Sequence, residues 1–229
     1  GFTHPELLKS TKKIRVGIEG MSSRLRRMVG KPATTDKLLA FCQLVADAGI
    51  RVFDWYMIYG LPTETDADVE EFECLIGLLN ETMPNGYVIA IHWNAFSPSA
   101  QTPFQWEAPA YSKSAAMARL FTLRQTRIKM MHKPKFTSHW TIIKRILAIR
   151  SSEATAKLVF NVALKENYFR QRPDFVLSEY QKATGLDLLG KWPDNIPVPW
   201  DKYCIYDREK MLRIGTRAIG RERTFNAAS

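Results

Sequence analysis

The chain has 229 residues, a formal charge of +10 and 45% hydrophobic content, enough to bury a sizeable core in one or two domains. No apolar run approaches the ~20 residues of a membrane span. Three scattered cysteines, Cys42, Cys74 and Cys204, form neither a disulfide framework nor a metal-ligand pair, the usage of a reducing cytosol, so a cytoplasmic location is expected. The basic excess permits nucleic-acid or phosphate partners, although solvated surface is its commoner source. The opening Gly1-Phe2-Thr3-His4-Pro5 has neither an initiator Met nor a signal-peptide pattern and reads as a chain entered partway, a fragment.

Taken in order, Pro5 to Thr11 reads as a helix end leading into a strand over Ile14 to Glu19. A basic helical turn starts at Ser23 and closes at Gly30-Lys31-Pro32. The spacing of Leu38, Leu39, Phe41, Cys42 and Val45 predicts a helix from about Asp36 to Ala48, with Thr35 as its cap and Gly49 as its stop. A second strand covers Val52 to Tyr59. Thr63 and Thr65 are candidate caps for the next helix, in which Val69, Phe72, Ile76 and Leu79 form an amphipathic stripe. A third strand over Val88 to Ala95 follows Pro84-Asn85-Gly86. Alternating strands and helices of this length predict βα units and a parallel sheet.

After Pro98 helical patterns dominate: Ser112 to Met130, His139 to Ile149, Glu153 to Glu166 capped by Ser152, and Asp174 to Ala183 stopped by Gly185. The expected organisation is a sheet region over 1–109, a helical appendage over 110–190, and a Pro-rich connector with a basic tail over 191–229.

Side chains alternate faces along a strand. One face carries Ile14, Val16, Ile18, Phe53, Trp55, Met57, Tyr59, Ile89, Ile91 and Trp93, and is the face helices should cover. The other carries Arg15, Glu19, Asp54, Tyr56, His92 and Asn94. Parallel strands buried on both faces read as continuous apolar runs. These do not, so the polar face is expected to line a wet lumen holding a ligand, with Arg15, Asp54, Tyr56, His92 and Asn94 as pocket candidates. The alternative is purely structural: Arg15 pairs with Asp54, while His92 and Asn94 satisfy one another or the backbone.

Four motifs carry a resemblance. Gly17-Ile18-Glu19-Gly20-Met21-Ser22-Ser23-Arg24 is a Gly-x-Glu strand end running into a small-residue turn and an Arg. Ile58-Tyr59-Gly60-Leu61-Pro62-Thr63-Glu64-Thr65 is a Gly-Leu-Pro turn. Phe96-Ser97-Pro98 precedes Thr102-Pro103-Phe104-Gln105-Trp106, and Pro199-Trp200-Asp201 stands near the end. In order, these resemble the second half of radical S-adenosylmethionine (SAM) proteins of the cobalamin-binding type. The implied fold is α/β, a partial (β/α) barrel contributing strands four to six, followed by a helical C-terminal region.

The resemblance implies that Glu19 and Ser22 lie beside the ribose and amino-acid part of SAM and that Arg24 faces its carboxylate. It implies that Gly60 lets the backbone approach the adenine, and that Phe96 and Ser97 close that pocket. Read without it, Arg24 is a solvated helix start beside Arg26 and Arg27, Gly60 a tight turn, and Thr102 to Trp106 a packed loop. Gly20 stands where many members have Ser, and Thr63 where the usual residue is Gly. The family's Cys-x3-Cys-x2-Cys motif for a [4Fe–4S] cluster is absent from the 229 residues.

The implied function is therefore the C-terminal part of a radical SAM enzyme. With SAM, a [4Fe–4S] cluster and optionally cobalamin, the intact protein would generate a 5′-deoxyadenosyl radical that abstracts hydrogen from a small-molecule or RNA substrate. Its partner would be a missing N-terminal half or a second chain, and this chain alone should be silent. Two alternatives stand beside it: a degenerate half-barrel that binds RNA or protein through its basic surface, and a fragment of a tRNA-acting methylthiotransferase. Against the latter, the C-terminal region reads as helical rather than as a small β-barrel.

Overall fold

A computed structural model describes residues 11–111, 118, 120, 128–134, 139–199, 201 and 207–226. The expected helix end at Pro5 to Thr11 lies almost wholly outside them, as do Cys204 and Trp200. The described residues fall into two compact units, one holding those within 1–94 and 112–136 and the other those within 95–111 and 137–229.

The first unit is the α/β part. A parallel sheet has the order β1 (Lys13–Glu19), β2 (Val52–Tyr59), β3 (Tyr87–Ala95), β4 (Ile128–Pro134). Helices α1 (Ser23–Met28) and α2 (Thr35–Asp47) connect β1 to β2, and α3 (Asp66–Thr82) connects β2 to β3. Faces divide as the alternation predicts. Phe53, Trp55, Met57, Tyr59, Ile89, Ile91 and Trp93 are all buried. Phe72 of α3 meets Trp55 and Trp93 edge-on, with ring centroids 6.3 and 5.5 Å apart. Burying a large apolar side chain contributes about 1.5–3 kcal/mol, so this seam fixes α3 on one face of the sheet and leaves the other to polar residues.

Three local expectations are corrected. The first strand of the helical stretch was hidden: Ile128–Pro134 pairs parallel with β3, from Tyr87↔Ile128 to Trp93↔Pro134, where a helix was expected to run on to Met130. The apolar run Ile128, Met130, Met131 suits either element, and pairing decides it. The rest of the expected Ser112 to Met130 helix lies largely outside the described residues. Secondly, the cap of α2 is Thr34, whose hydroxyl accepts the N–H of Lys37, not Thr35. Thirdly, the single helix expected over Glu153 to Glu166 is divided. A 3-10 turn, Glu153–Thr155, precedes α5 (Ala156–Leu164), and α6 (Glu166–Arg170) starts after Lys165 leaves helical geometry at φ −121°, ψ 40°.

The second unit is otherwise helical, with α4 (His139–Arg150), α5, α6, α7 (Pro173–Thr184) and α8 (Arg208–Asn226). Its organising group is Arg150. The buried guanidinium donates to the carbonyls of Leu188, Gly190 and Glu107 and lies over the Trp192 ring. Trp106, buried at the end of the Thr102 to Trp106 turn, accepts the N–H of Trp192. That turn is the packed loop its apolar residues suggest.

Candidate functional site

At the carboxyl end of β1 the chain turns sharply. The β1–β2 register slips between Gly17 and Glu19, and Glu19 sits at φ 68°. A slip of this kind re-aims a side chain at a strand end, and a non-glycine residue in left-handed geometry must be held there by its surroundings. The Glu19 carboxylate folds back over Gly17 and is gripped by Lys31, whose ammonium lies 2.7 Å from Oε1 and also donates to the Gly17 carbonyl. A Cβ on Gly17 would sit 2.5 Å from that carboxylate oxygen, so the glycine makes room for it.

Gly20 is equally constrained. A Cβ there would lie 2.8 Å from the backbone of Leu25 and Arg26. This close approach of α1 leaves no room for a side chain at Gly20.

Ser22 and Arg24 are brought together, but by protein partners. Ser22 caps α1 by accepting the Leu25 N–H and donates its own proton to Asp68 Oδ1. Arg24 forks onto both Asp68 oxygens and also donates to the Thr63 hydroxyl and carbonyl, each at 2.9 Å. Asp68 in turn accepts from the Thr65 N–H and hydroxyl, the capping box of α3. The solvated-helix reading of this arginine is therefore wrong, and for its neighbour more so. Arg26 is fully buried and donates to the carbonyls of Gly20, Met21 and Ala33 and to the hydroxyls of Ser23 and Thr35. Burial lowers its pKa, with the nearby Glu71 opposing the shift. Sequence reading missed Arg26, Asp68 and Glu71. The capping pattern Thr65-x-x-Asp68 was the one signal that could have flagged Asp68.

The second turn follows β2. Gly60 has φ 71°, and Thr63 φ 66°. Thr63 is therefore not a cap; it occupies a left-handed position that glycine fills without strain. The Glu64 carboxylate closes this turn, accepting the Gly60 N–H at 2.9 Å and the Leu61 N–H at 3.3 Å.

Burial pushes Glu64 up to about 7 from its ordinary 4.5, aided by Asp68 and opposed by those two N–H groups. Its folded pKa is thus raised above the unfolded one, so its stabilising effect is complete below pH 4.5 and is lost as pH rises through about 7. The loss should be at most about 3 kcal/mol. Urea denaturation at several pH values should show a decline in stability across this window that Glu64→Gln removes; the same decline in the variant would assign it to another group.

The polar face of the sheet forms a second cluster. Asp54 is 2% exposed and is paired with Lys13 from β1; Arg15 Nε stands 3.6 Å away, in line with the Arg15↔Asp54 register. His92 Nε2 lies 3.5 Å from Asp54 Oδ1, and the imidazole stacks on Tyr56 with centroids 4.7 Å apart and planes 12° from parallel. Burial alone would push the Asp54 carboxyl up. The hydrogen bond and charge of Lys13, with His92 beside the carboxylate, outweigh it and hold Asp54 below the usual carboxylate range. Four of the five pocket candidates therefore meet, and the partner of His92 is Asp54 rather than Asn94. Asn94 is half-buried two residues further along the same strand face. Phe96 and Ser97 belong to the second unit; Phe96 is buried there, and its carbonyl accepts the Ala110 N–H.

A parallel sheet with covering helices on one face, an ionic cluster on the other and two polar turns at its carboxyl edge is consistent with part of a (β/α) barrel. Residues 4–75, which carry both turns, match the family model of the Radical SAM superfamily. No curated protein matches the chain.

The residues fit the two cofactors of that superfamily differently. Glu19 keeps a partly exposed carboxylate at the end of β1, and Gly60 offers a backbone with no side chain at the end of β2. The cluster is another matter. Cys42 is buried in α2, and burial pushes its thiol up to about 12; Cys74 is exposed on α3. A thiol held protonated is a poor iron ligand. Among the described residues no group of three or more His, Cys, Asp or Glu side chains is placed to hold a metal ion. Nor, among them, is any helix long and apolar enough to cross a membrane.

Proposed function

We propose that this chain provides the SAM-facing strand ends of a radical SAM enzyme of the cobalamin-binding type, and that the cluster is ligated by residues outside these 229. The observation that supports it is the position of the family match, which falls on the two turns whose side chains interlock through Arg24, Asp68 and Thr63. Bound SAM supplies radical chemistry in that superfamily. The residues of this chain have three tasks. Glu19, aimed by its left-handed backbone and steadied by Lys31, accepts hydrogen bonds from the ribose. Gly60 gives the adenine close access to the backbone. Ser22 and Arg24 position the first turn through Asp68 rather than touching the ligand, since their donors are already engaged.

The cobalamin-binding subtype rests on the Thr102-Pro103-Phe104-Gln105-Trp106 and Pro199-Trp200-Asp201 motifs. The role of Phe96 and Ser97 beside the adenine rests on the same resemblance.

The test is anaerobic reconstitution with iron and sulfide, followed by calorimetric titration with SAM. The chain alone is expected to acquire no [4Fe–4S] absorbance and to bind SAM weakly. A longer protein carrying an upstream Cys-x3-Cys-x2-Cys half should gain both properties. In that protein Glu19→Ala should weaken SAM roughly tenfold, the effect of losing one charge-assisted hydrogen bond. Tight SAM binding or cluster assembly by the 229 residues alone would overturn the reading.

A further inference from the structure

The sheet's polar face holds more charge than a structural pair requires. Asp54 could be neutralised by Lys13 alone, yet Arg15 and His92 also converge on it, so with a neutral imidazole the group Lys13, Arg15 and Asp54 carries one net positive charge. Arg15 is 71% exposed at its side chain, whereas Asp54 and His92 are 2% and 14% exposed. The cation is thus open to solvent, whereas the carboxylate and the imidazole are largely covered.

Two atoms of the cluster lack conventional partners. Asp54 Oδ1 and His92 Nε2 are both buried and neither has a hydrogen bond within ordinary limits. They face each other at 3.5 Å. A buried carboxylate oxygen without a donor is costly, and the ring nitrogen that faces it can carry a proton. The arrangement therefore selects the Nε2–H tautomer, pointing at Asp54 and leaving Nδ1 as the basic atom. Tyr56, stacked flat against the ring, fixes its plane. A carboxylate behind a histidine that keeps the second nitrogen bare is how an imidazole is prepared to exchange a proton.

We propose that His92, oriented by Asp54 and Tyr56, exchanges a proton with a small anionic substrate on the inner face of the sheet, and that Arg15 holds the substrate's carboxylate or phosphate. This rests on the expectation, drawn from the alternation of the strands, that the polar face of the sheet lines a lumen that holds a ligand. The step is a proton transfer only. Nδ1 takes a proton from the substrate, the resulting imidazolium stays paired with Asp54 through Nε2–H, and the substrate keeps the electron pair as its conjugate base.

Nitrogen-15 long-range correlation spectra of the imidazole rings test the proposal on the full chain, with His92→Gln identifying the resonances. The Nε2–H tautomer is expected in the neutral form, giving way to a mixture in Asp54→Asn. Titration with inorganic phosphate, and separately with succinate, should shift the His92 ring signals saturably. Response to phosphate alone or to succinate alone would identify the substrate's anionic group.

Arg15→Gln, at an exposed position where folding is not at stake, should weaken that response at least tenfold, the scale of one charge-assisted contact. A dominant Nδ1–H tautomer would overturn the proton role. Equal shifts in wild type and Arg15→Gln would mean an adventitious ion only and would overturn the anion site. None of these measurements needs SAM or a cluster. Failure here would leave the cofactor reading standing, and failure of SAM binding would leave this result intact.

Discussion

Arg24→Ala is expected to destabilise the first unit by about 3–5 kcal/mol, the cost of removing one partner from a buried ion pair. Asp68 is almost completely inaccessible, with 4% of its side chain exposed, against 12% for Arg24. Without the guanidinium, the Asp68 carboxylate keeps only the Ser22 hydroxyl and the Thr65 groups. Thr63 loses both donors to its hydroxyl and carbonyl and must still hold a left-handed backbone. Urea denaturation measures the loss. A double-mutant cycle with Asp68→Ala separates this account from a ligand role, because in that background Arg24→Ala should cost far less. An Arg24→Ala protein of native stability that had lost SAM affinity in the longer, cluster-bearing form would instead make Arg24 a ligand contact.

The parallel arrangement and the sorting of faces were legible because the alternation from Phe53 to Tyr59 and from Ile89 to Trp93 is strong and bounded by turn residues. The two turns at the carboxyl edge were legible from the residue types that special geometry demands: a Gly-x-Glu strand end, and a Gly-Leu-Pro turn followed by Thr63. β4 was not legible. Ile128 to Met131 lacks a period that excludes a helix, and its pairing with β3 spans some forty residues, which no local pattern reports. The site's interior was misread for a related reason. Arg24, Arg26 and Arg27 look alike as a basic run, and what separates them is the position of acceptors distant in sequence. Asp68 and Glu71 lie more than forty residues away from the arginines they serve. On the inner face, by contrast, strand alternation set Arg15, Asp54, Tyr56 and His92 on one side and the Arg15↔Asp54 register joins the first two, although Lys13, the partner that pairs with Asp54, was not singled out.

Arg26 is where that hidden wiring should show most strongly. Its guanidinium satisfies three backbone carbonyls, those of Gly20 and Met21 in the β1 turn and Ala33 before α2, and it bonds two hydroxyls besides. Ser23 and Thr35 pass the network on to Glu71 of α3 at 2.7 and 3.0 Å. One side chain thereby ties the strand end to both flanking helices. Arg26→Met fills much of the volume but supplies no donor, leaving carbonyls that cost about 1–3 kcal/mol each when buried unpaired. These penalties overlap, so a total near 4 kcal/mol is expected. Arg26→Lys should recover only part of it, because an ammonium is compact and cannot span acceptors that a planar fork reaches together. Beyond the lower denaturation midpoint, amide exchange should accelerate over residues 17–35 ahead of β2, since it is this turn that loses its brace. Exchange rising uniformly across the sheet would show that Arg26 supports the unit as a whole rather than the edge at which Glu19 is presented.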